Sequence, residues 1–448
     1  MLSALLYGVS GELGITSFVD VEVNIIGYRT SLIAVFGGEI LGSFLTPFNS
    51  TTMAATKPFC SLDDTHDLRD ELSGIRHHLH RHPELAYQEF KTSDFVAQNL
   101  ESWGYAVTRG LGGTGMVATL KAGAGTRAVA VRADMDALPI NEETGLPYAS
   151  SEPGLMHACG HDGHTTMLLG AARHLARTRR FDGVVHLVFQ PAEEIGADRD
   201  AKRMIEDGLF ERFPCDAIFG LHNHPGYPSG PFMSRSGPFM AACDTVELVI
   251  HGRGGHAARP HLAVDPVVIG AGLVTALQTV VSRSVDPMQS AVVTVGAFNA
   301  GHAANVIPEK ARLQISVRSF DATVRKLFES RIRALAQAHA EAYGARIEIN
   351  YVPGYPVVVN SAPETELALQ VARELVGDER VIDGFGPIAG SEDFAYYLQE
   401  KPGCFLRLGN GEEAPMLHNA SYDFNDDNLT VGAAYWTRLV ERFLALKP

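Results

Sequence analysis

Apolar residues recur at three- and four-residue spacing soon after Asp64, at Leu68, Leu72, Ile75 and Leu79. This spacing places apolar side chains on one face of a helix. The run ends at the proline of the segment HPEL, because proline cannot continue a helix. The pattern therefore predicts an amphipathic helix at the start of the globular part of the chain.

Short apolar runs then alternate with helical segments. Three segments have the pattern of an apolar strand that ends in acidic residues or histidines: RAVAVRAD, GVVHLVFQPAEE and DAIFGLHNHP. Such alternation is typical of an α/β fold with a mixed, mostly parallel sheet covered by helices. Functional residues of these sheets gather beyond the carboxyl ends of the strands. The residues at those ends here are Asp134, Asp136, Glu193, Glu194, His222 and His224.

A second pattern occupies residues 241–352. Its order is strand, helix, strand, strand, helix, strand, and the alternation of Leu313, Ile315 and Val317 is typical of a sheet with one exposed face. The order βαββαβ is that of ferredoxin-like folds. Because the mixed α/β pattern resumes after this segment, we predict a larger α/β domain interrupted by an inserted domain, with segments at 64–240, 241–352 and 353–448.

The first 63 residues follow neither pattern. The apolar segment SLIAVFGGEILGSFLTPF is interrupted by Glu39, by glycines and by Pro47. It therefore lacks the compact core of a secretory signal and the uninterrupted length of a membrane helix. We interpret residues 1–63 as a leader, either disordered or a mispredicted start, with a membrane anchor as the weaker alternative.

Composition excludes several classes of partner and site. The 448 residues carry a formal net charge of −15, which disfavours nucleic acids and anionic membrane surfaces. The five cysteines are odd in number and far apart in sequence, so no disulfide framework is visible. We therefore expect neither nucleic acid nor membrane as a partner, and a reducing cytoplasm as the location.

The segment MHACGHDGHTT holds one cysteine and three histidines within eleven residues. Taken alone, Cys159 and His161 fit an inert thiol and a structural histidine as well as two metal ligands. Thiolate, imidazole and carboxylate are, however, the ligand types of zinc and manganese sites. More groups of these types occur at the other strand ends, as carboxylates in PAEE and imidazoles in GLHNH, and in a late loop at His418, which favours a metal site built from such groups.

The adjacent residues Glu193 and Glu194 point towards hydrolysis. Neighbouring side chains of an extended chain point in opposite directions, so one carboxylate can bind a metal while the other reaches a water. A metal lowers the pKa of water, and a nearby carboxylate accepts its proton. Two adjacent glutamates alone would fit a solvated loop, but the surrounding ligand types favour a metallohydrolase.

Several segments also carry a specific resemblance, in the order HPEL, RADMDALPI, MHACGHDGH, FQPAEE, GLHNHP, GRGGHAARPH, NVIPEKARL, GSEDFA and LHNASYDFND. With them, residues 64–446 resemble the metal-dependent amidohydrolase and aminoacylase family of metallopeptidases. The branch is that of hippurate hydrolase, N-acyl-amino-acid hydrolases and auxin-conjugate hydrolases. The match covers the whole chain after the leader.

This resemblance implies two divalent metal ions per subunit, manganese or zinc, held by Cys159, His161, Glu194, His222 and His418. It implies that Glu193 is the general base and that Cys159 takes the bridging place that a carboxylate fills elsewhere in the superfamily. Asp134 stands where relatives have a ligand histidine. Asp136 then looks like a group that orients a ligand histidine.

The resemblance also gives roles to the inserted domain, as a lid and a dimerisation surface. His256 would reach the active site, often that of the partner subunit, and polarise the substrate carbonyl. Asn305 and Arg318 would hold the substrate, since a guanidinium suits a carboxylate. On an alternating strand, Arg318 fits an ordinary surface residue equally well. We therefore expect a homodimer that acts on a small molecule.

The predicted reaction is hydrolysis of the amide bond of an N-acyl-amino acid, such as a hippurate-like or N-acetyl-amino acid, to a carboxylic acid and a free amino acid. A dipeptidase or an N-acetyl-diamino-acid deacetylase of the same family is the alternative. A catalytically inactive metal-binding scaffold is the alternative from another class. A serine hydrolase is disfavoured because the sequence contains no GxSxG segment.

Overall fold

The computed structural model describes residues 20–25, 28–33, 59–196 and 201–446. The chain divides into two compact units, residues 1–58 and residues 59–448. In the first unit, strands β1 (Asp20–Ile25) and β2 (Tyr28–Ile33) pair antiparallel. The predicted leader lies largely outside the described residues.

The second unit contains all the other described helices and strands. The helices are α1 (Asp63–His66), α2 (Arg69–Arg81), α3 (Phe90–Ser102), α4 (His161–Thr178), α5 (Ala201–Glu206), α6 (Leu209–Arg212), α7 (Pro266–Ser284), α8 (Ala322–Tyr343), α9 (Ala362–Val376), α10 (Phe394–Glu400) and α11 (Asp427–Phe443). The strands are β3 (Ala106–Leu111), β4 (Gly115–Ala122), β5 (Ala128–Asp134), β6 (Gly183–Gln190), β7 (Ala217–His224), β8 (Phe232–Ser234), β9 (Gly237–Met240), β10 (Ala242–His251), β11 (Gly255–His256), β12 (Ala291–Ala300), β13 (Val306–Ile307), β14 (Lys310–Ser319), β15 (Arg346–Pro353), β16 (Val358–Asn360), β17 (Val381–Asp383) and β18 (Gly403–Gly409).

Eight of these strands form one sheet, in the order β17-β8-β18-β7-β5-β6-β4-β3. Four of its seven neighbouring pairs are parallel, which confirms the predicted mixed, mostly parallel α/β sheet. Every residue of β5 is buried, because helices cover both faces of the sheet.

Two apolar clusters lie on the opposite faces of this sheet. One includes residues of α2, α4 and α11, such as Leu72, Leu168 and Trp436. The other includes residues of α5 and α10, such as Met204 and Phe394. The covered sheet thus leaves only its strand ends and loops to form a cavity.

A smaller sheet has the order β12-β14-β10-β15, with all neighbours antiparallel. Leu313, Ile315 and Val317 are buried against α7 and α8, as their alternation predicted. Along the chain, the elements run β10, α7, β12, β14, α8 and β15, with the two-residue strands β11 and β13 between them.

Helix α7 is the one helix of the described residues that is long and apolar enough to cross a membrane, by length and composition alone. Ile269, Leu273, Leu277 and Val280 are buried in the core of the smaller sheet. Packing of this face accounts for part of the apolar character of the helix, since Val267 and Val268 on the same helix are exposed.

A buried network of charged side chains joins α2 to the start of α4. Arg76 donates to Asp162 at 3.3 Å and to Asp423 at 2.9 Å. The Nδ1 of His80 lies 2.9 Å from Asp162, and its Nε2 lies 3.4 Å from Glu142. Burial alone would lower the pKa of His80, but these two carboxylates outweigh burial and raise it to about 9.

This network predicts a loss of stability at alkaline pH. Because the folded pKa of His80 lies above its ordinary value of 6.5, the protonated ring stabilises the fold below pH 6.5, and the contribution disappears as the pH rises through about 9. The full effect is roughly 3 kcal/mol. The melting temperature should fall between pH 6.5 and pH 9.5. His80→Gln should melt lower at pH 6 and show a flatter pH dependence; identical pH profiles for the two proteins would exclude this role.

Candidate active site

The predicted ligands converge where the strands of the large sheet end. A cavity of about 530 Å³ opens beside the carboxyl ends of β6 and β7 and the loop after β18. Of the residues that the sequence singled out, seven line it: Cys159, Glu193, Glu194, His222, His224, Arg318 and His418. The side chains of His161 and Asp136 are buried beside them.

A tight turn places Cys159 and His161. Gly160 between them has a φ of +98°, and a Cβ there would lie 2.3 Å from the side-chain nitrogen of Asn223. Only glycine fits this position, because a side chain would meet both strain and a clash. The turn thereby leads Cys159 into the cavity and starts α4 at His161.

His161 is oriented by Asp136. Its Nδ1 lies 2.9 Å from the Asp136 carbonyl oxygen and 3.2 Å from Oδ1 of the same residue. Nδ1 therefore carries a proton, and Nε2 is the ring atom that remains available to a metal. Nε2 is buried and has no hydrogen-bond partner. Asp136 thus contacts His161, one of the histidines predicted as ligands.

Cys159 and His222 form the second part of the cluster. The Cys159 Sγ lies 3.3 Å from Nε2 of His222, whose Nδ1 donates to the Asn223 carbonyl oxygen at 2.7 Å. Burial, with Glu194 and Glu193 close by, raises the pKa of the Cys159 thiol well above its ordinary value. This thiol therefore needs a cation to become a thiolate.

Glu194 and His418 complete the cluster at the mouth of the cavity. The Nε2 of His418 lies 3.3 Å from Oε1 of Glu194. His418 has a φ of +63°, an uncommon conformation for a non-glycine residue, and its N–H donates to the Ala158 carbonyl oxygen at 2.8 Å. The contact with Ala158 fixes this loop against the turn that carries Cys159.

These donor atoms fit a metal centre. Cys159, His161 and His222 have ligand atoms within 4.8 Å of one another, and the sets Cys159–Glu194–His418 and His161–Glu193–Glu194 meet the same limit. Burial lowers the pKa of His161, but Asp134 and Asp136 raise it to about 10, so the site attracts positive charge. Sulfur, imidazole and carboxylate ligands at this spacing suit zinc or manganese.

The turn before Glu193 holds the two glutamates apart. Ala192 has a φ of +60°, and its N–H donates to Glu89 at 2.9 Å. The N–H of Glu194 donates to Asp136 at 2.9 Å, and the Glu193 carbonyl accepts from the Tyr355 hydroxyl at 2.6 Å. Hydrogen bonds with Glu89, Asp136 and Tyr355, which lie in three other segments, thus hold the backbone of this turn in its strained conformation.

Glu193 has a different environment from Glu194. Its carboxylate faces Glu392 and Asp393 in a buried acidic cluster. Burial and, next, the Glu392 carboxylate raise the pKa of Glu193 well above its ordinary value. A raised pKa suits a group that accepts and returns a proton near neutral pH.

Sequence reasoning missed the guanidinium behind this acidic cluster. Arg132 donates to Asp134 at 2.7 Å and to Asp393 at 2.8 Å, and it pairs with Glu392 at 3.0 Å. The available signal was an arginine inside the otherwise apolar strand segment RAVAVRAD.

His164, the third histidine of MHACGHDGH, is held by hydrogen bonds to protein groups next to the site. Its Nδ1 lies 2.7 Å from Asp134, and its Nε2 accepts from the Asn223 N–H at 3.0 Å. Because both ring nitrogens are engaged by protein groups, His164 has no lone pair left for a metal.

The residues predicted from the inserted domain divide into two groups. Arg318 lines the cavity, and its guanidinium donates to the Ser391 hydroxyl at 3.0 Å. His256 and Asn305 lie near each other, since the Ala257 N–H donates to the Asn305 carbonyl oxygen at 3.1 Å. Neither of these two residues lines the cavity of the same chain.

Residues 130–442 match the model of peptidase family M20/M25/M40. The chain belongs to this family. It is therefore an amide-hydrolysing enzyme, and the resemblance to the amidohydrolase branch of metallopeptidases is confirmed.

Several relatives are similar over most of their length. The hippurate hydrolase of Campylobacter jejuni is 45% identical over 379 residues, which cover 84% of this chain and 98% of the relative. The N-acetyl-L-cysteine deacetylase of Bacillus subtilis is 42% identical over 354 residues, 79% of this chain and 83% of the relative. The crystal structure of the Bacillus subtilis YXEP protein, described as a dinuclear metal binding peptidase, is 32% identical with a TM-score of 0.73, covering 84% of this chain and 99% of that one.

Proposed function

We propose that the protein hydrolyses the amide bond of N-acyl-amino acids and depends on two divalent metal ions, manganese or zinc. The observation that carries this proposal is the cluster of thiol, imidazole and carboxylate groups beside the buried Glu193, within one cavity. The names of the hippurate- and acetylcysteine-hydrolysing relatives support the substrate class.

In this proposal, the metal ligands are Cys159, His161, Glu194, His222 and His418. When bound, the metals polarise the substrate carbonyl and lower the pKa of the attacking water. Asp136 keeps the proton of His161 on Nδ1, so that Nε2 faces the centre. The Cys159 thiol lies within 4.8 Å of the ligand atoms of both His161 and His222 and of both Glu194 and His418, so it would hold metal together with either set.

Two side chains beside the centre carry out proton transfer and substrate binding. Glu193 accepts the proton of the attacking water and delivers it to the leaving amine. Its raised pKa allows it to hold the proton between these two steps. Arg318, which has only a hydroxyl partner among the described residues, binds the carboxylate of the amino acid.

The direct test is a substrate panel on the metal-loaded protein. Hippurate, N-acetyl-L-methionine, a dipeptide and an N-acetyl-diamino acid separate the proposed activity from the two alternatives within the family. We expect release of the free amino acid from the first two and loss of activity on chelation. Bound metal without turnover of any of these compounds would favour the inactive scaffold instead.

We further propose that residues 241–352 form a ferredoxin-like lid and dimerisation domain, inserted between catalytic segments 64–240 and 353–448. Strand β12 is an edge of the smaller sheet and exposes Val292 and Phe298. Exposed edges with apolar side chains are suited to pairing with a second copy. In the dimer, His256 and Asn305 would serve the cavity of the partner subunit.

Light scattering should therefore show a homodimer, and His256→Ala should be nearly inactive. Mixing refolded His256→Ala with a second inactive variant, Glu193→Gln, should restore activity, because each mixed dimer has one intact site. Random pairing gives about a quarter of wild-type activity. A monomer, or a mixture without restored activity, would exclude the use of His256 across the dimer.

We also propose a cytoplasmic location. All five cysteines are free, and four of them are buried. This state agrees with a reducing compartment.

A further inference from the structure

Arg407 is a buried arginine that the proposed mechanism does not use. It lies in β18, whose seven residues are all buried, and it is 4% exposed. Leu406 and Leu408 point into the apolar cluster on one face of the sheet. Arg407 points to the other side and lines the substrate cavity. The strand thus directs a guanidinium into the site.

Arg407 has no carboxylate partner among the residues that the structure describes. Its NH1 donates to the Asn223 carbonyl oxygen at 3.4 Å, its NH2 lies 3.1 Å from the sulfur of Met240, and its Nε has no partner. Arg132, which is equally buried, pairs with Asp134, Glu392 and Asp393. A buried charge without a partner destabilises a fold, so its presence in a cavity indicates a ligand.

The acidic residues near Arg407 are already engaged. Glu392 lines the same cavity, but it accepts from Arg132 at 3.0 Å. Arg407 is also paired in register with His222 across β18 and β7. A guanidinium next to a metal ligand opposes cation binding by charge repulsion. A negatively charged group from the substrate would offset that repulsion and pair the guanidinium.

We propose that Arg407 binds a second carboxylate of the substrate, so that the preferred N-acyl-amino acid is a dianion. This inference rests on the proposed function, in which Arg318 takes the α-carboxylate. The second carboxylate belongs either to an acidic amino-acid side chain or to an acyl group derived from a dicarboxylic acid. A guanidinium binds either one with two parallel hydrogen bonds.

Three substrates distinguish these sources on the metal-loaded wild type. N-acetyl-L-glutamate carries the second carboxylate on the amino acid, N-succinyl-L-methionine carries it on the acyl group, and N-acetyl-L-methionine lacks it. We expect kcat/KM for one of the dianions to exceed that for N-acetyl-L-methionine at least about tenfold, since a site built for a polar group discriminates strongly against its absence. A preference for the monoanion would overturn the proposal.

The variant Arg407→Met tests the residue itself. The ratio of kcat/KM for the preferred dianion to that for N-acetyl-L-methionine should fall at least about tenfold. The melting temperature should stay level or rise, because an unpaired buried charge is removed. Equal losses on all substrates together with a lower melting temperature would assign Arg407 a purely structural role. Phe405→Leu, two residues earlier on β18 and outside the cavity lining, is the control and should keep the wild-type ratio.

Binding measurements distinguish a failure of the proposed function from a failure of the proposed role of Arg407. In calorimetric titrations, the preferred dianion should bind wild type more tightly than Arg407→Met. If the wild type hydrolyses none of the compounds but shows this difference in binding, the proposed function fails and the role of Arg407 stands. If the wild type hydrolyses N-acyl-amino acids and Arg407→Met keeps the wild-type substrate selectivity, the proposed function stands and the proposed role of Arg407 fails.

Discussion

Replacement of Glu193 by glutamine should lower kcat at least about a hundredfold while metal content stays near the wild-type level. The amide keeps the shape of the side chain and leaves the five proposed ligands intact, but it cannot accept a proton. A hundredfold loss corresponds to roughly 3 kcal/mol of barrier. Metal analysis beside steady-state kinetics on the same preparation measures both quantities.

Glu194→Gln is the matched control, since it makes the same chemical change one residue later. Glu194 lies 3.3 Å from His418, within the ligand cluster. This variant should lose metal, and added metal should restore activity only in part. If Glu193→Gln lost metal and Glu194→Gln retained it, the two roles would have to be exchanged. If both variants kept metal and rate, the proposed mechanism would be wrong.

Cys159→Ser should lower metal affinity at least about tenfold, with activity falling in parallel. The thiol lies 3.3 Å from His222 and within the same 4.8 Å cluster as Glu194 and His418. A serine hydroxyl keeps the size of the group but is a much weaker ligand for zinc than a thiolate. Metal titration of the chelator-treated protein measures the change.

Cys243→Ser provides the control for this second variant. Cys243 is free, half-buried and absent from the residues that line the cavity. It should keep wild-type metal affinity and rate. Full metal content and activity in Cys159→Ser would show instead that the thiol is an inert buried side chain.

The strand-end positions of the candidate ligands could be predicted because they depend on local signals. Apolar runs that end in PAEE or GLHNH identify buried strands, and parallel strands bring their carboxyl ends together. The C-x-H spacing places both groups at one helix start, which the left-handed Gly160 makes possible. Sequence alone could therefore locate the cluster of candidate ligands.

The partners of Arg132 and Arg407 could not be predicted in the same way. Both arginines lie within apolar runs, so periodicity identifies their strands but not what their side chains meet. The difference between them is non-local: Arg132 meets Glu392 and Asp393 from the start of α10, and Arg407 meets no described acid. Such differences depend on the packing of segments far apart in sequence.

His256 and Asn305 illustrate a second limit. Their segments GRGGHAARPH and NVIPEKARL were singled out by resemblance, and the structure places them side by side. They lie outside the cavity lining of their own chain. A sequence does not specify which copy of a chain receives a side chain, so their proposed role depends on the assembly.

The position of β18 has a consequence for the order in which the enzyme can assemble during synthesis. In the large sheet this late strand, Gly403–Gly409, lies between β7 and β8, which are close neighbours along the chain. During synthesis on the ribosome, the edge of β7 that pairs with β18 therefore stays unpaired until almost the whole chain has emerged. His418 follows only after β18. The nascent chain thus cannot complete its metal centre early, and the open β7 edge is exposed to incorrect pairing until the C-terminal segment arrives.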